Sequence, residues 1–402
     1  MRLESTSVME MTLRDLHEAD VKGKAVLLRA DFNVPLKDGE VAEDFRIRKT
    51  LPTVNWLRDQ GARVAIVSHL GRPKGKKVPE LSLRPVAERL SHLLGAQVPL
   101  LGDCIGNEVK RTVEGLGPGE VVLLENVRFH PGEEANDADF ARALAEPFDL
   151  FVNDAFAVCH RAHASTVGVT QYLPAYAGFL LQEEIKVLSK LRESPERPYY
   201  LLIGGKKAKD KLGVLEELLP VVDGILIGGG AAFTFLKAKG YEIGRSVLEE
   251  ELLEKVKGIA ERAYRNGVLL LLPRDVVAAR ELSDSADTVI VPADRIPPDM
   301  MGLDIGPETV RIFSEKLKEA ATVVWAGPMG AFEYKPFSRG TEAIARALAE
   351  APGFTVVGGG ETGEAVIALG LEEKFDHLST GGGATLAFLQ GKPMPALEPL
   401  MA

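Results

Sequence analysis

Histidine and arginine gather in the first part of this chain, glycine and lysine in the second. Six of the seven histidines precede residue 164, whereas the runs Gly204-Gly205, Gly228-Gly229-Gly230, Gly358-Gly359-Gly360 and Gly381-Gly382-Gly383 all follow residue 200. Arginine presents a planar fork of donors that matches carboxylate and phosphate oxygens. A glycine turn between a strand and a helix lets backbone N–H groups approach a phosphate. The division points to two phosphorylated ligands held on two bodies.

Four motifs make up the first set. RADFNVP (29–35) carries Asp31 and Asn33, which share a face if the preceding strand continues. SHLGRPKG (68–75) carries His69 and Arg72 on a glycine turn that Pro73 keeps out of a helix. ENVRFHPGEE (125–134) offers Arg128 and His130, and NDAFAVCHRAH (153–163) offers His160, Arg161 and His163. Any one of them reads equally well as a solvated turn. Four successive strand ends that each supply an arginine or histidine read as an anion site. Arg46, in DFRIRK (44–49), enters a helix at the end where its charge opposes the dipole, which suits a ligand-facing role. His160 and His163 have metal-ligand spacing, but no carboxylate or cysteine joins them at tetrahedral spacing. HExxH, GxSxG and a catalytic-cysteine context are absent from the sequence.

In the second set, GGKKAKDKLGVL (204–215) places Lys206, Lys207, Lys209 and Lys211 behind two glycines, although the chain has no Walker A motif. IGGGAAFTFL (227–236) and VGGGETGEAV (357–366) repeat the strand–glycine–helix order. The latter fits GxGxxG through Gly358, Gly360 and Gly363, with Asp376 at a suitable distance for a ribose contact. LDIGPET (303–309) and WAGPMGAFE (325–333) are Gly-Pro turns suited to walling a base and ribose.

These motifs need strands to carry them. Short apolar runs at 25–28, 64–67, 121–124, 150–152, 199–203, 224–227, 268–272, 322–325 and 355–357 read as buried strands. Amphipathic stretches at 48–59, 83–94, 137–146, 212–219, 249–265 and 341–350 read as helices between them. This alternation predicts an α/β fold of doubly wound parallel sheets, with ligands beyond the carboxyl ends of the strands. Residues 178–192 read as one amphipathic helix, followed by the breaker cluster Ser194-Pro195-Glu196-Arg197-Pro198. We therefore expect one domain over 1–180 and another over 199–388, with 181–198 as connector helix and hinge. The proline-rich end, about 389–402, is expected to return as a strap onto the first domain.

A chain of 402 residues suits two domains, and 46% hydrophobic with 26% charged residues is typical of globular proteins. The net charge of −10 argues against general nucleic-acid binding. Cys104 and Cys159 form no disulfide framework, and the first residues lack an apolar signal core. The expected location is the cytoplasm, with neither a nucleic-acid nor a membrane partner.

In this order, RADFNVP, SHLGRP, LLENVRFH, VNDAFAVCHRAHAST, GGKKAKDK, GGGAAFTFL, LDIGPET, WAGPMGAFE, GGGET and STGGGAT resemble the phosphoglycerate kinases from about Met11 to the end. The resemblance implies two Rossmann-like domains, a monomer, and reversible phosphoryl transfer between 1,3-bisphosphoglycerate and ADP, giving 3-phosphoglycerate and ATP with Mg2+. It implies a substrate site of Asp31, Phe32, Asn33, Arg46, His69, Leu70, Gly71, Arg72, Arg128 and Arg161. It implies a nucleotide site of Lys207, Lys211, Gly230, Gly306, Pro328, Glu333, Gly359, Gly360, Glu361 and Thr362. Arg46 and Lys207 would flank the transferring group, Glu333 would take the ribose hydroxyls, and Glu361 would ligate the metal. The chemistry suits such residues: a carboxylate acceptor is already ionised, so the work is positioning, charge stabilisation and exclusion of water by closure about the connector.

Three departures stand out in the nucleotide half. Lys206 stands where a small residue is usual, Ala326 replaces an asparagine, and Glu361 replaces an aspartate. Residues 1–10 extend past the usual start, so Met9 or Met11 is a candidate initiator. Two other functions compete with the kinase: a dinucleotide-dependent oxidoreductase, resting on GGGETG, and a silent binding protein, resting on Ala326 and Glu361.

Overall fold

The first strand, β1 (Ala25–Arg29), is buried along its whole length, including the arginine that ends it. Strands covered on both faces read as continuous apolar runs, and β2 (Arg63–Val67), β3 (Val121–Leu123), β4 (Leu150–Asn153) and β5 (Ala175–Ala177) follow the same rule. They pair in parallel in the order β3-β2-β1-β4-β5. The chain winds outward from β1 through β2 to β3, then crosses back to β4. The switch point therefore lies between the carboxyl ends of β1 and β4, where open α/β sheets bind ligands.

The protein was studied as a computed structural model, which describes residues 11–402. Met9, one candidate initiator, lies outside the described residues. The chain divides into two compact units, one reaching to Lys186 and including Pro393–Ala402, the other spanning Val187–Lys392. Within the first, the terminal segment runs beside the start of the fold: Leu13 bridges Met401, and Ala396 N–H donates to the Cys159 carbonyl at 3.2 Å.

The second unit repeats the grammar with β6 (Tyr199–Ile203), β7 (Gly224–Ile227), β8 (Leu269–Leu271), β9 (Thr322–Ala326), β10 (Phe354–Gly358) and β11 (His377–Leu378). All pair in parallel, in the order β8-β7-β6-β9-β10-β11, so the switch point falls between β6 and β9. The two parallel-sheet α/β bodies agree with the expected fold class.

Two features depart from the all-parallel expectation: a small antiparallel hairpin of Leu36–Lys37 with Glu40–Val41, and a larger sheet. Residues 275–279, 288–292 and 301–305 form a three-stranded antiparallel sheet with 275–279 at its centre. Its outer strand exposes Val289 and Ile290, and the polar stretch 280–287 precedes it. The run Val289-Ile290-Val291 is as apolar as those of the other strands but stands largely in solvent, because nothing among the described residues covers that edge of the small sheet.

Helix α1 (Phe45–Asp59) starts three residues earlier than the sequence pattern indicates, because Asp44 engages Arg48 and Arg89 rather than ending a loop. Arg46 is thus the second residue of a helix. Helix α2 (Phe179–Glu193) spans the boundary between the units. Asp154, at the end of β4, accepts the Leu181 N–H at 3.1 Å and so fixes its first turn. In the second unit, α3 (Lys209–Leu218), α4 (Ala231–Ala238), α5 (Pro307–Lys318) and α6 (Gly360–Ala368) each follow a strand and a glycine turn.

Candidate active site

In the first unit, the ends of four adjacent strands converge. Asp31 follows β1, His69 follows β2, Arg128 follows β3 and Arg161 follows β4. Arg46 reaches from α1 and donates through Nη1 to Asp31 Oδ2 at 3.2 Å and to the Asn33 carbonyl at 3.1 Å. Asn33 Oδ1 accepts the Gly71 N–H at 2.8 Å, and Arg128 Nη1 donates to the Gly71 carbonyl at 2.9 Å. Gly71 has a φ of +63°, which suits glycine, and a side chain there would press on Leu81. Phe32 is buried, its N–H donating to Ser68 Oγ at 2.8 Å, and the Leu70 carbonyl accepts from Asn126 at 2.7 Å. Arg72 and Arg161 are exposed, the latter touching His160 Nε2 at 3.3 Å. The structure therefore brings the ten sequence-derived residues of this set to one end of one sheet.

The cations have capacity to spare. Arg128 is buried, yet its Nε has no hydrogen-bond partner among the described residues. Glu134 Oε1 stands 3.8 Å from it, an ion pair too long for a hydrogen bond, so this donor can still take a ligand oxygen. Burial pushes Asp31 upward, but Arg46, the Asn33 N–H and Arg29 outweigh it and hold the carboxylate ionised. Burial, assisted by Arg29, Arg128 and Arg46, drives His69 well below its ordinary range despite Asp31. Neutral His69 sits with Nδ1 3.1 Å from Arg29 Nη2. An arginine can only donate, so Nδ1 accepts, the proton rests on Nε2, and that N–H is a donor for an anion.

The sequence reading missed what holds this site. Arg29 is 0% exposed and donates to Ser165 Oγ at 2.8 Å as well as facing His69. Ser165 in turn gives its N–H and hydroxyl to the two oxygens of Glu133, at 2.9 and 2.6 Å, and Glu133 is completely buried. This charged network underlies the site. Its one local signal was an arginine at the end of an otherwise apolar strand, since a fully buried arginine requires a partner.

His163 gives the site a pH signature. Burial, then Arg128, Arg29 and Arg161, lower it to about 4, whereas an unfolded histidine titrates near pH 6.5. Between those values the unfolded chain binds more protons than the folded one, so stability is full above about pH 6.5 and falls as the pH drops toward 4. The urea midpoint should fall across this window, and His163→Gln should flatten the fall. An unchanged slope in that variant would contradict the assignment.

In the second unit, the turns after β6, β7 and β9 interlock. Gly205 N–H donates to the Pro328 carbonyl at 2.7 Å, Gly229 N–H to the Met329 carbonyl at 3.0 Å, and Ala231 N–H to the Gly205 carbonyl at 3.1 Å. Gly230 lies against the Lys206 carbonyl, which leaves no room for a side chain. Thr362 Oγ1 accepts the Gly327 N–H at 2.7 Å, tying the turn before α6 to the same cluster. A methyl group at Gly205 would stand 4.0 Å from both Glu361 Oε2 and Lys211 Cε, so a carboxylate and an ammonium flank that turn. Burial lowers Lys211, against the pull of Asp210 and Glu361. Lys206, Lys207, Gly360, Glu361 and Glu333 are exposed and Gly359 is half-buried. Several helix N-termini and a set of lysines thus surround one glycine cluster, an arrangement suited to phosphates.

Two buried carboxylates complete the cluster without a sequence signal. Asp275 accepts the Glu308 and Thr309 N–H groups at 3.0 and 2.8 Å and so caps α5 just after Gly306, whose own N–H donates to the Asp275 carbonyl at 2.9 Å. Asp304 accepts the Gly340 N–H at 2.7 Å and, with the Ala331 N–H on the Leu303 carbonyl at 2.9 Å, brackets the segment carrying Glu333.

The ribose role considered for Asp376 does not survive. Its Oδ2 accepts the Thr355 N–H at 2.7 Å, near the amino end of β10, whereas Gly358 lies at the carboxyl end of that strand. The GxGxxG spacing is therefore met without its acidic partner, which removes the basis of the dinucleotide reading. A cavity of about 620 Å³, lined by residues such as Leu236, Val256, Tyr264 and Leu271, shares no residue with the glycine turns. No helix among the described residues is long and apolar enough to cross a membrane.

Comparison with known proteins gives one answer. The family model for phosphoglycerate kinase matches residues 16–392. The chain is 52% identical over 390 residues to the phosphoglycerate kinase of Dictyoglomus turgidum, covering 97% of this chain and 98% of that one. It is 52% identical over 391 residues to that of Pelotomaculum thermopropionicum, covering 97% and 100%. The solved phosphoglycerate kinase from Coxiella burnetii superposes with a TM-score of 0.85 at 42% identity, covering 97% of this chain and 99% of that one.

Proposed function

The chain belongs to the phosphoglycerate kinase family, and from that premise we propose which of its residues carry the reaction. The enzyme transfers a phosphoryl group reversibly between 1,3-bisphosphoglycerate and ADP, a step of glycolysis. The observation that supports the assignment best is the meeting of Asp31, His69, Arg128 and Arg161 at the ends of four adjacent strands. We assign 3-phosphoglycerate to this cluster in the first unit, and the nucleotide to the interlocked glycine turns of the second.

Arg46, His69 Nε2–H, Arg72, Arg128 and Arg161 bind and orient the substrate's anionic groups. Asp31 and Asn33 aim Arg46. Lys207 and Lys211, with those backbone N–H groups of the glycine turns that are not spent within the turn cluster, in the run Gly359 to Thr362, hold the nucleotide phosphates, Gly306 and Pro328 line the nucleoside, and Glu333 takes its ribose hydroxyls. Transfer needs no general base, because the acceptor carboxylate is already ionised. Arg46 and Lys207 stabilise charge on the equatorial oxygens as the group passes in line. Domain closure is typical of the family and excludes water that would hydrolyse the acyl phosphate.

The residues fit a magnesium ion carried by the nucleotide. Mg2+ takes one or two carboxylates, phosphate oxygens and waters, and Glu361 supplies a single exposed carboxylate beside Gly205 and Lys211. When bound, the ion would supply positive charge that offsets the charge on the nucleotide phosphates. Glu361→Asp should retain turnover within about tenfold while shifting the magnesium concentration for half-maximal rate. A folded but inactive Glu361→Asp enzyme would overturn that role. We further propose a cytoplasmic monomer. Its two cysteines are free and buried, as suits a reducing compartment.

Calorimetric titration tests the two assignments separately. Arg128→Ala should weaken 3-phosphoglycerate by more than about tenfold and leave ADP binding intact, and Lys211→Ala should do the reverse. Loss of the other ligand in either variant would refute the division.

A further inference from the structure

We propose that Asp103, Cys104 and His130 form a binding site for a borderline-soft divalent cation of the Zn2+ class, separate from the nucleotide's magnesium. Asp103 and Cys104 precede the helix at 107–114, and His130 follows β3. Each residue offers one donor atom, and the carboxylate oxygen, thiol sulfur and imidazole nitrogen all lie within 4.8 Å of one another. His130 Nε2 is 2.6 Å from Asp103 Oδ1, which also accepts the Cys104 N–H at 2.6 Å. No other group of three or more such donors is this close among the described residues.

The donor set selects the cation. Sulfur, nitrogen and one oxygen suit Zn2+ or Co2+, whereas Mg2+ requires oxygen donors. Burial fits as well. Cys104 is 1% exposed, while the side chains of His130 and Asp103 are 28% and 51% exposed. The sulfur thus forms the floor and the other two donors the rim, which gives an entry path and a fourth position for water. His130 is held in place by stacking on Phe140, with ring centroids 5.1 Å apart.

Binding exchanges a proton for the metal. As the sulfur–metal bond forms, the Cys104 thiol proton passes to solvent. The Nε2 proton that His130 donates to Asp103 Oδ1 in the free site moves to Nδ1, and Nε2 then gives its lone pair to the metal. No oxidation state changes.

The test is a Co2+ titration of the full chain without nucleotide, followed by absorption spectroscopy. One equivalent should bind with intense tetrahedral d–d bands and a thiolate-to-cobalt charge-transfer band, and excess Mg2+ should not displace it. Cys104→Ser should lose the charge-transfer band and bind at least about tenfold more weakly. Cys159→Ser should keep both features. If Cys104→Ser proves unfolded by circular dichroism, His130→Gln decides instead, with weakened binding and altered d–d bands expected. Absence of the charge-transfer band in the wild type, its persistence in Cys104→Ser, its loss in Cys159→Ser, or an unaltered His130→Gln spectrum would each overturn the site.

Discussion

Arg46→Ala should lower kcat by about 10³-fold or more, the scale on which an arginine acting on a transferring phosphoryl group contributes. The argument rests on how Arg46 is held. It occupies the second position of α1, where its charge gains nothing from the helix dipole. Asp31, kept ionised by its surroundings, and the Asn33 carbonyl fix Nη1 at 3.2 and 3.1 Å. The side chain remains 25% exposed. A cation so placed is oriented without being consumed by its partners. The loss should fall mainly on kcat, with a smaller change in KM for 3-phosphoglycerate, because charge on the phosphoryl oxygens is largest in the transition state. Steady-state kinetics would show it, and near-wild-type turnover would remove Arg46 from the reaction.

Gly204→Ala should abolish nucleotide binding while leaving 3-phosphoglycerate binding in place. An added Cβ would stand 2.2 Å from the Pro328 carbonyl oxygen and 2.5 Å from that of Gly327. Both are backbone atoms held by their own bonds, the Pro328 carbonyl by the Gly205 N–H at 2.7 Å and the Gly327 carbonyl by Trp325 Nε1 at 2.8 Å, so neither can swing aside as a side-chain tip would. Overpacking of this kind costs about 1–3 kcal/mol or more. Here it must also spread the turns whose N–H groups are assigned to the phosphates. Calorimetry with ADP and with 3-phosphoglycerate on the same folded sample would separate the effects. Retained ADP affinity would mean that the turns do not act as one cradle.

The comparison of Arg46 with Arg29 shows where sequence reading succeeds. Asp31, His69, Arg128 and Arg161 were legible because buried parallel strands announce themselves as apolar runs, and the residues just past them must lie at one edge of the sheet, whereas Arg46 was read from a charge set against its helix dipole. Arg29 was read only as the arginine of the RADFNVP strand end and not as the centre of a buried network. Its partners Ser165 and Glu133 are far away in sequence, and only the packed fold joins them. The caps at Asp275 and Asp304 were silent for the same reason, their partners lying more than thirty residues on. The antiparallel sheet at 275–305 escaped although 276–279 and 289–291 are apolar runs, because no helical stretch separates them and the strand–helix alternation is broken there. Asp376 misled for a complementary reason: spacing along the chain put it within reach of a ribose, and the strand direction puts it at the wrong end. Lys206 and Glu361 are exposed where extra length is tolerated, and Ala326 is fully buried while its carbonyl accepts the Gly204 N–H at 2.9 Å. That backbone contact does not depend on the side chain, so the substitution leaves the interlocked turns intact.

A coupled assay with ATP, Mg2+ and 3-phosphoglycerate, reading acyl-phosphate formation through a downstream dehydrogenase, tests the account most directly. The expected result is robust turnover that saturates in both substrates, with Lys206, Ala326 and Glu361 as tolerated variations. A folded protein that binds 3-phosphoglycerate yet shows no turnover would contradict it.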